Sequence, residues 1–467
     1  MKIIMKFGGT SLNSADKVRN VSRIVKDHSQ NNQITIVASA LSGVTNLLEK
    51  LSKQSKHNSK KIIANELEKF TKLHTSISKD SIKDQKIKEG VLKNILSIIN
   101  ELKSVLEGVY AIGEITPRSR DKILSFGERL TVIIVTGALK DIGISAEPFT
   151  GAKVGIVTDE KYGEANPLMS ITKMRISEIL QPLLSKGIIP VVTGFMAATQ
   201  TGDITTLGRG GSDFTATILG AALSVDEVWI CTDVNGMMTT DPKIISDART
   251  ISQLSYSEAL EMTVFGAKAL HPRAIEPAQE NKISVRIKNT LDLTGPDTLI
   301  SNDQSIIKGE IAKSVALIKD VAMVNIGGAG MVGKPGIAAK VFETFAKEEI
   351  NILMISQSVS EANISLVIHK HNLENAVNTL ELSLLSRGFA NRINAEDDVC
   401  VIAIVGAGMK GSQGVAARVF KAVADKRINV RMIAQGSSEL NISIVVKEKS
   451  CEKAVMAIHK EFDMGKS

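Results

Sequence analysis

The sequence repeats itself. Val321-Ala322-Met323-Val324-Asn325-Ile326-Gly327-Gly328-Ala329-Gly330-Met331 returns as Val399-Cys400-Val401-Ile402-Ala403-Ile404-Val405-Gly406-Ala407-Gly408-Met409. The offset is 408 − 330 = 78, and Asn363 and Asn441 keep it. Each copy reads strand, Gly-rich turn, helix, strand, strand, helix. Two copies are too few for a solenoid and suit a pair of small regulatory domains. Counting strands adds a constraint. The first copy has room for a closing strand near Asn391–Asp398, whereas the second ends soon after its last helix. The spare strand at Ile306–Ile318 is therefore expected to cross into the second copy, so that the two share chain segments.

The repeats contain GxGxxG at Gly328–Gly333 and Gly406–Gly411. A dinucleotide fold would need a carboxylate on the following strand, where this chain has Leu353 and Arg431, so that reading is set aside. GxxxxGK[ST], HExxH and GxSxG are all absent.

The first 290 residues alternate strands and helices, which predicts a mainly parallel sheet covered on both faces. A strand at Ile3–Phe7 runs into Gly8-Gly9-Thr10-Ser11, a helix covers about Ala15–His28, and strands follow at Ile34–Ala38, Ile188–Val192, Val228–Thr232 and Ser284–Ile287. Residues 42–110 carry helical periodicity, with expected breaks at Asn58, Ser59, His74–Ser78 and Gly90. The sheet domain is expected to close near Asn289-Thr290, with Asp292–Ser305 as a boundary.

Within this part, Thr205-Thr206-Leu207-Gly208-Arg209-Gly210-Gly211-Ser212-Asp213 leads into an apolar helix. Bare glycine backbone offers N–H groups to an anion, the helix dipole favours negative charge, and Arg209 carries a planar fork suited to a carboxylate or phosphate. A capped tight turn is the plain alternative. Lys6, placed before two glycines in the same sheet, could meet a transferred phosphoryl group. Thr232-Asp233 follow another strand end, and Glu128 opens a helix after Gly127. His271 before Pro272 is read as structural, because a carboxylate nucleophile is already ionised at neutral pH and needs no base.

Composition narrows the partners. The net charge is +7 but aromatics are only 3%, and the excess Lys is densest among the acidic residues of 50–103. That pattern describes solvated helix faces rather than a nucleic-acid surface. Cys231, Cys400 and Cys451 form no CxxC and no run of ~18 apolar residues occurs, so a reducing, cytoplasmic setting without a membrane anchor is expected.

Taken in order, Lys6–Ser11, Ser39-Ala40-Leu41-Ser42-Gly43-Val44-Thr45-Asn46, Ser125-Phe126-Gly127-Glu128, Thr206–Asp213 and Phe265-Gly266-Ala267-Lys268 resemble the aspartate kinases over nearly the whole chain. The resemblance implies an α/β amino-acid kinase sandwich at 1–291, then two ferredoxin-like ACT domains. These would be 306–398 (the repeat proper at 321–398) and 399–467. It implies transfer of the ATP γ-phosphoryl group to the β-carboxylate of L-aspartate. Lys6, Gly8 and Gly9 would hold phosphates, with Lys6 and Asp213 catalytic. Ser39, Thr45, Glu128, Arg209, Gly210, Gly211 and Ser212 would hold aspartate. Thr232, Asp233 and Lys268 match nucleotide contacts, as do Met238 and Lys243, which stand where the family often has Tyr and Arg. Mg²⁺ is expected on the phosphates, with no side chain assigned as its ligand. A non-catalytic amino-acid sensor or another carboxylate kinase of the same fold are the alternatives.

The resemblance also implies a feedback effector between paired ACT domains, and hence a homodimer or larger homo-oligomer. The candidate regulatory residues are Met331, Gly333, Gly336, Ile337, Asn351, Gln357, Asn363, Gln435 and Asn441. Gln357 and Gln435 follow the second strand of each copy, and a neutral amide suits a hydroxyl amino acid better than a lysine ammonium. Threonine is therefore favoured over lysine.

Overall fold

The computed structural model describes residues 1–55, 60–264, 270–302 and 310–465. They form two compact units, one from 1–237, 252–256 and 270–302 and the other from 238–251, 257–264 and 310–465.

The first unit holds strands β1 (Lys2–Phe7), β2 (Gln33–Ala38), β3 (Ala146–Phe149), β4 (Val157–Thr158), β5 (Ile189–Thr193), β6 (Met196–Thr199), β7 (Ile204–Thr206), β8 (Glu227–Thr232), β9 (Gln253–Ser255), β10 (Ser284–Asn289) and β11 (Thr298–Ser301). Its helices are α1 (Ala15–Ser29), α2 (Val44–Gln54), α3 (Lys60–Ser81), α4 (Gln85–Ile112), α5 (Pro117–Leu124), α6 (Phe126–Asp141), α7 (Met169–Ser185), α8 (Gly211–Leu223) and α10 (Ile275–Glu280), while α9 (Tyr256–Val264) starts here and continues into the second unit. Eight strands form one sheet in the order β3-β5-β2-β1-β8-β10-β11-β9, and β4-β6-β7 form a small second one. Among the described residues of the main sheet, only β10 and β11 pair antiparallel. Alternate residues of β1 face opposite ways: Ile3, Met5 and Phe7 join the core under α1–α6, while Ile4 is buried on the other face. Burial on both faces explains the continuous apolar runs. The register sets Phe7 beside Ala38 and Cys231, and Ala38 beside Thr193. The carboxyl ends of β1, β2, β5 and β8 thus form one edge, where open α/β sheets bind ligands.

One expectation changes here. Helix α3 runs through His74–Ser78 and α4 through Gly90, and the break falls at 82–84, where Asp84 caps α4 by accepting from Ile87 N. Asn58 and Ser59 lie outside the described residues. His74 does not break the helix because its Nδ1 meets the Phe70 carbonyl at 2.8 Å inside the core. β11 lies beyond residue 291 yet pairs with β10 through Val285–Ile300 and Ile287–Thr298, burying Thr298 and Ile300.

Burial lowers the His74 pKa to about 4. The folded state therefore holds this ring neutral while the unfolded chain protonates it below about 6.5. The unfolded state binds the extra proton, so stability falls as pH drops from 6.5 towards 4, by about 3 kcal/mol from this ring alone. Urea midpoints at pH 7 and pH 4.5 should differ less for His74→Leu than for the unaltered chain. Equal differences would remove His74 from the acid sensitivity.

The second unit is built on β12 (Ser314–Gly327), β13 (Ile352–Gln357), β14 (Asn363–His369), β15 (Arg392–Val405), β16 (Val430–Gln435) and β17 (Asn441–Lys447), with α11 (Ile337–Lys347), α12 (Leu373–Leu380), α13 (Val415–Ala424) and α14 (Cys451–Glu461). The antiparallel sheet runs β13-β14-β12-β15-β17-β16. The long strands β12 and β15 serve both repeats. Val321–Gly327 pairs with β14 and with the start of β15, while Ser314–Ile318 pairs with Val401–Val405, across register shifts near Ile318–Met323. Val321, Met323, Met354 and Val367 of the first copy pack with Val401, Ala403, Met432 and Val445 of the second. Separate cores lie under the helices of each copy. Glu258 of α9 is buried in this unit, 3.1 Å from Lys313, and accepts from the N–H of Ala407 at 2.7 Å. Glu261, one turn on, accepts from the Asn441 amide. All three cysteines are buried free thiols.

Candidate active site

Lys6, next to last in β1, holds its Nζ 2.6 Å from Asp213 Oδ1, and both side chains are only 12% exposed. Asp213 stands in the first turn of α8, whose N-cap is Gly210 at φ 69°. The His271 ring fills the place a Gly210 Cβ would take, which gives His271 a packing role and explains why position 210 holds glycine. Gly9 is similarly confined, since an added Cβ would lie 2.6 Å from the Ala40 carbonyl oxygen.

Glu128 lies in the first turn of α6 and is 3% exposed. Its Oε1 accepts from the Ala40 N–H at 3.2 Å, while Oε2 has no hydrogen-bond partner among the described residues. Burial pushes its pKa up to about 8. A buried carboxylate with one oxygen left over is a socket for a cationic group.

A cleft of about 280 Å³ joins these groups, lined by Lys6, Ser39, Thr45, Glu128, Arg209, Gly210, Gly211, Ser212 and Asp213 together with Ala40, Phe195 and Gly208. Nine residues singled out from sequence for phosphate or aspartate therefore meet in one place. Gly8, Gly9 and Thr232 occupy the same sheet edge. Gly8 N donates to the Cys231 carbonyl, and Thr232 Oγ1 donates to the exposed Asp233. Lys268 lies outside the described residues. Met238 and Lys243 fall in the second unit, where Met238 bridges to Thr250.

Sequence reasoning missed three contributors. Phe195 lines the cleft with a left-handed backbone, φ 66°, a conformation disfavoured for a bulky residue; its only sequence signal is the preceding strand end. Arg273 donates to the Leu207 carbonyl at 2.6 Å and sits over the Phe214 ring. Asp121, in α5, accepts from the backbone of the Gly-rich loop. Its neighbours Arg118, Arg120 and Lys122 make it read as surface charge.

The regulatory candidates are spread over the second unit. Met331 and Ile337 are buried, Gly333 and Gly336 have positive φ, and Gly336 caps α11. Asn351, Gln357 and Gln435 are exposed, and Asn363 and Asn441 are half-buried at the starts of β14 and β17. No cluster of metal-ligating side chains occurs among the described residues, and no described helix is long and apolar enough to cross a membrane.

Comparison with known proteins fits this geometry. The amino acid kinase family profile matches residues 1–289, and an ACT domain profile matches 324–384 and 402–462. The chain belongs to the amino acid kinase family. Aspartokinase 1, chloroplastic, of Arabidopsis thaliana is 33% identical over 98% of this chain and 80% of its own length. The aspartate kinase of Pseudomonas putida is 32% identical over 99% of this chain and 97% of its own. The structure of E. coli aspartokinase III in complex with aspartate and ADP superposes with a TM-score of 0.82 at 26% identity, covering 99% of both chains. The chain spans about half the length of the bifunctional aspartokinase/homoserine dehydrogenases it also matches. Within the family the chain falls among the aspartate kinases, enzymes that use a nucleotide to phosphorylate aspartate and carry ACT repeats suited to allosteric control.

Proposed function

We propose that this cleft holds L-aspartate with its ammonium on Glu128 and a carboxylate on Arg209, so that the β-carboxylate faces Lys6. The supporting observation is the buried Glu128 carboxylate with one unpartnered oxygen in the same cleft as the Lys6–Asp213 pair. Ser39, Thr45, Ser212 and the bare backbone of Gly210 and Gly211 complete the acid's surroundings. ATP phosphates lie along Gly8 and Gly9, with Thr232 and Asp233 towards the nucleotide. A β-carboxylate oxygen attacks the γ-phosphorus, the new O–P bond forms as the bond to the β-phosphate oxygen breaks, and ADP leaves with that electron pair. No base is needed, because the carboxylate is already ionised. Lys6 meets the charge that builds on the transferring group, and Asp213 orients Lys6. Asp213, at the phosphate end, suits the ATP-borne Mg²⁺, which neutralises phosphate charge.

The test is hydroxamate formation from ATP, Mg²⁺ and hydroxylamine with L-aspartate, glutamate or acetylglutamate. Signal from aspartate alone supports the assignment. Signal from another acid moves the specificity, and binding of an amino acid with no signal makes the chain a sensor. Arg209→Ala should raise KM for aspartate by about 100-fold, the worth of a charged hydrogen-bonded pair. An unchanged KM would take Arg209 out of the acid's site.

The effector site is assigned to the first ACT copy. In the second copy the Ala407 N–H and Asn441, which repeat Ala329 and Asn363, already engage Glu258 and Glu261. Exposed Gln357 beside Asn363 favours threonine, in a homo-oligomer working in the cytoplasm. Inhibition by lysine and not threonine would overturn this reading of the glutamine.

A further inference from the structure

We propose that Asp121 is a positioning residue for the acid substrate, a buried carboxylate that fixes the Arg209 loop against the helix bearing Glu128. The proposal rests on the assignment of those two residues to aspartate.

Asp121 is fully buried in α5. Its Oδ2 accepts from the N–H groups of Thr206 and Gly163, both at 2.8 Å, and its Oδ1 accepts from Thr206 Oγ1 at 2.9 Å. The carboxylate is thus committed to two loops distant in sequence. Thr206 precedes Arg209 by three residues (209 − 206), and Gly163 belongs to the loop whose Ala165 N–H returns a bond to the Thr206 carbonyl at 2.9 Å. Helix α5 passes into α6 through Ser125, which keeps helical dihedrals. Asp121 and Glu128 are seven residues apart (128 − 121), two helical turns, so they share one face of this stretch. One carboxylate on that face grips the foot of the loop and the other opens into the cleft.

The loop beyond Thr206 is held in the same manner. Leu207 donates to the Phe195 carbonyl and accepts from Arg273. Without Asp121, the buried Thr206 N–H and the half-buried Gly163 N–H lose their acceptor, and the loop must shift to find another. Arg209 would then move relative to Glu128, and the first loss would be in recognising an acid that needs both. Burial raises the Asp121 pKa, so this carboxylate is kept in the core at a cost that a purely packing role would not require.

The test compares Asp121→Ala and Asp121→Asn in the full chain, measuring KM for aspartate and for ATP separately. The alanine variant should raise KM for aspartate about tenfold or more, with KM for ATP within about twofold. The asparagine variant should recover most of the loss, since its carbonyl oxygen can take both N–H groups while its amide donates to Thr206 Oγ1. Equal rises in both KM values, or no rescue by asparagine, would overturn the proposal in favour of general structural support. If the alanine variant does not fold, Thr206→Val removes only the hydroxyl bond and should still raise KM for aspartate about threefold; no change there would also overturn it. Arg209→Ala run alongside separates the two failures. If it leaves KM for aspartate unchanged, the substrate assignment has failed; if it raises KM and the Asp121 variants do not, only the positioning role has.

Discussion

Replacing Lys6 by alanine should lower kcat by about a thousandfold while KM for aspartate stays within a few-fold. The side chain sits at the carboxyl edge of the sheet, 2.6 Å from Asp213 and only 12% exposed. Its charge is therefore fixed before the reaction starts, in surroundings with little water to screen it. A fixed cation aimed at developing charge typically contributes a hundred- to a thousandfold to turnover. Because the acid is gripped elsewhere, by Glu128 and Arg209, ground-state binding of aspartate should hardly notice the loss. Steady-state kinetics with saturating ATP measure this directly. Turnover within tenfold of normal would show that Lys6 does not meet the transferring group.

Glu128→Gln should weaken aspartate binding about 100-fold and yet make the unliganded protein more stable. The folded-state pKa of about 8 lies above the ordinary carboxylate value. The folded chain therefore holds a proton that the unfolded chain releases, and stability is lost as pH rises from about 4.5 through 8. At pH 7.5 that loss is about 4 kcal/mol, and a neutral amide of the same shape avoids it. Thermal unfolding near pH 7.5 should show the variant melting several degrees higher, with the gap closing by pH 5. The same proton shapes binding. An ammonium needs the ionised carboxylate, so KM for aspartate should fall as pH rises towards 8 and then level, and the glutamine variant should be flat over that range. A glutamine variant that keeps the slope would place the titrating group elsewhere.

Much of the site was legible because its parts sit on short, chemically loud segments. Lys6 before two glycines, the 205–213 loop and Glu128 after Gly127 each announce an anion or cation site at a strand or helix end, and parallel strands bring such ends to one edge. Asp121 was illegible for the opposite reason. Its partners lie 42 and 85 residues away, and among Arg118, Arg120 and Lys122 nothing local says that its side chain turns inward. His74 and Ser78 were misread as a break because polar residues suggest loops, whereas the His74 ring spends its hydrogen bond on its own helix. Strand β11 was hidden because 292–305 is polar and Gly/Pro-bearing, and only the short alternation of Thr298 and Ile300 marks it.

The strands shared by the two repeats have a consequence for how such genes can be recombined. A breakpoint at residue 399 respects the 78-residue period, yet it separates Val401–Val405 from their pairing partner Ser314–Ile318. A hybrid that imports 399–467 from a relative must dock the foreign strand onto the host's own 314–318, so the two must agree in bulge position and side-chain volume. Breakpoints before residue 310 carry the whole pair across together. Exchange of the tandem as a block is therefore expected to succeed where exchange of a single repeat demands matched partners.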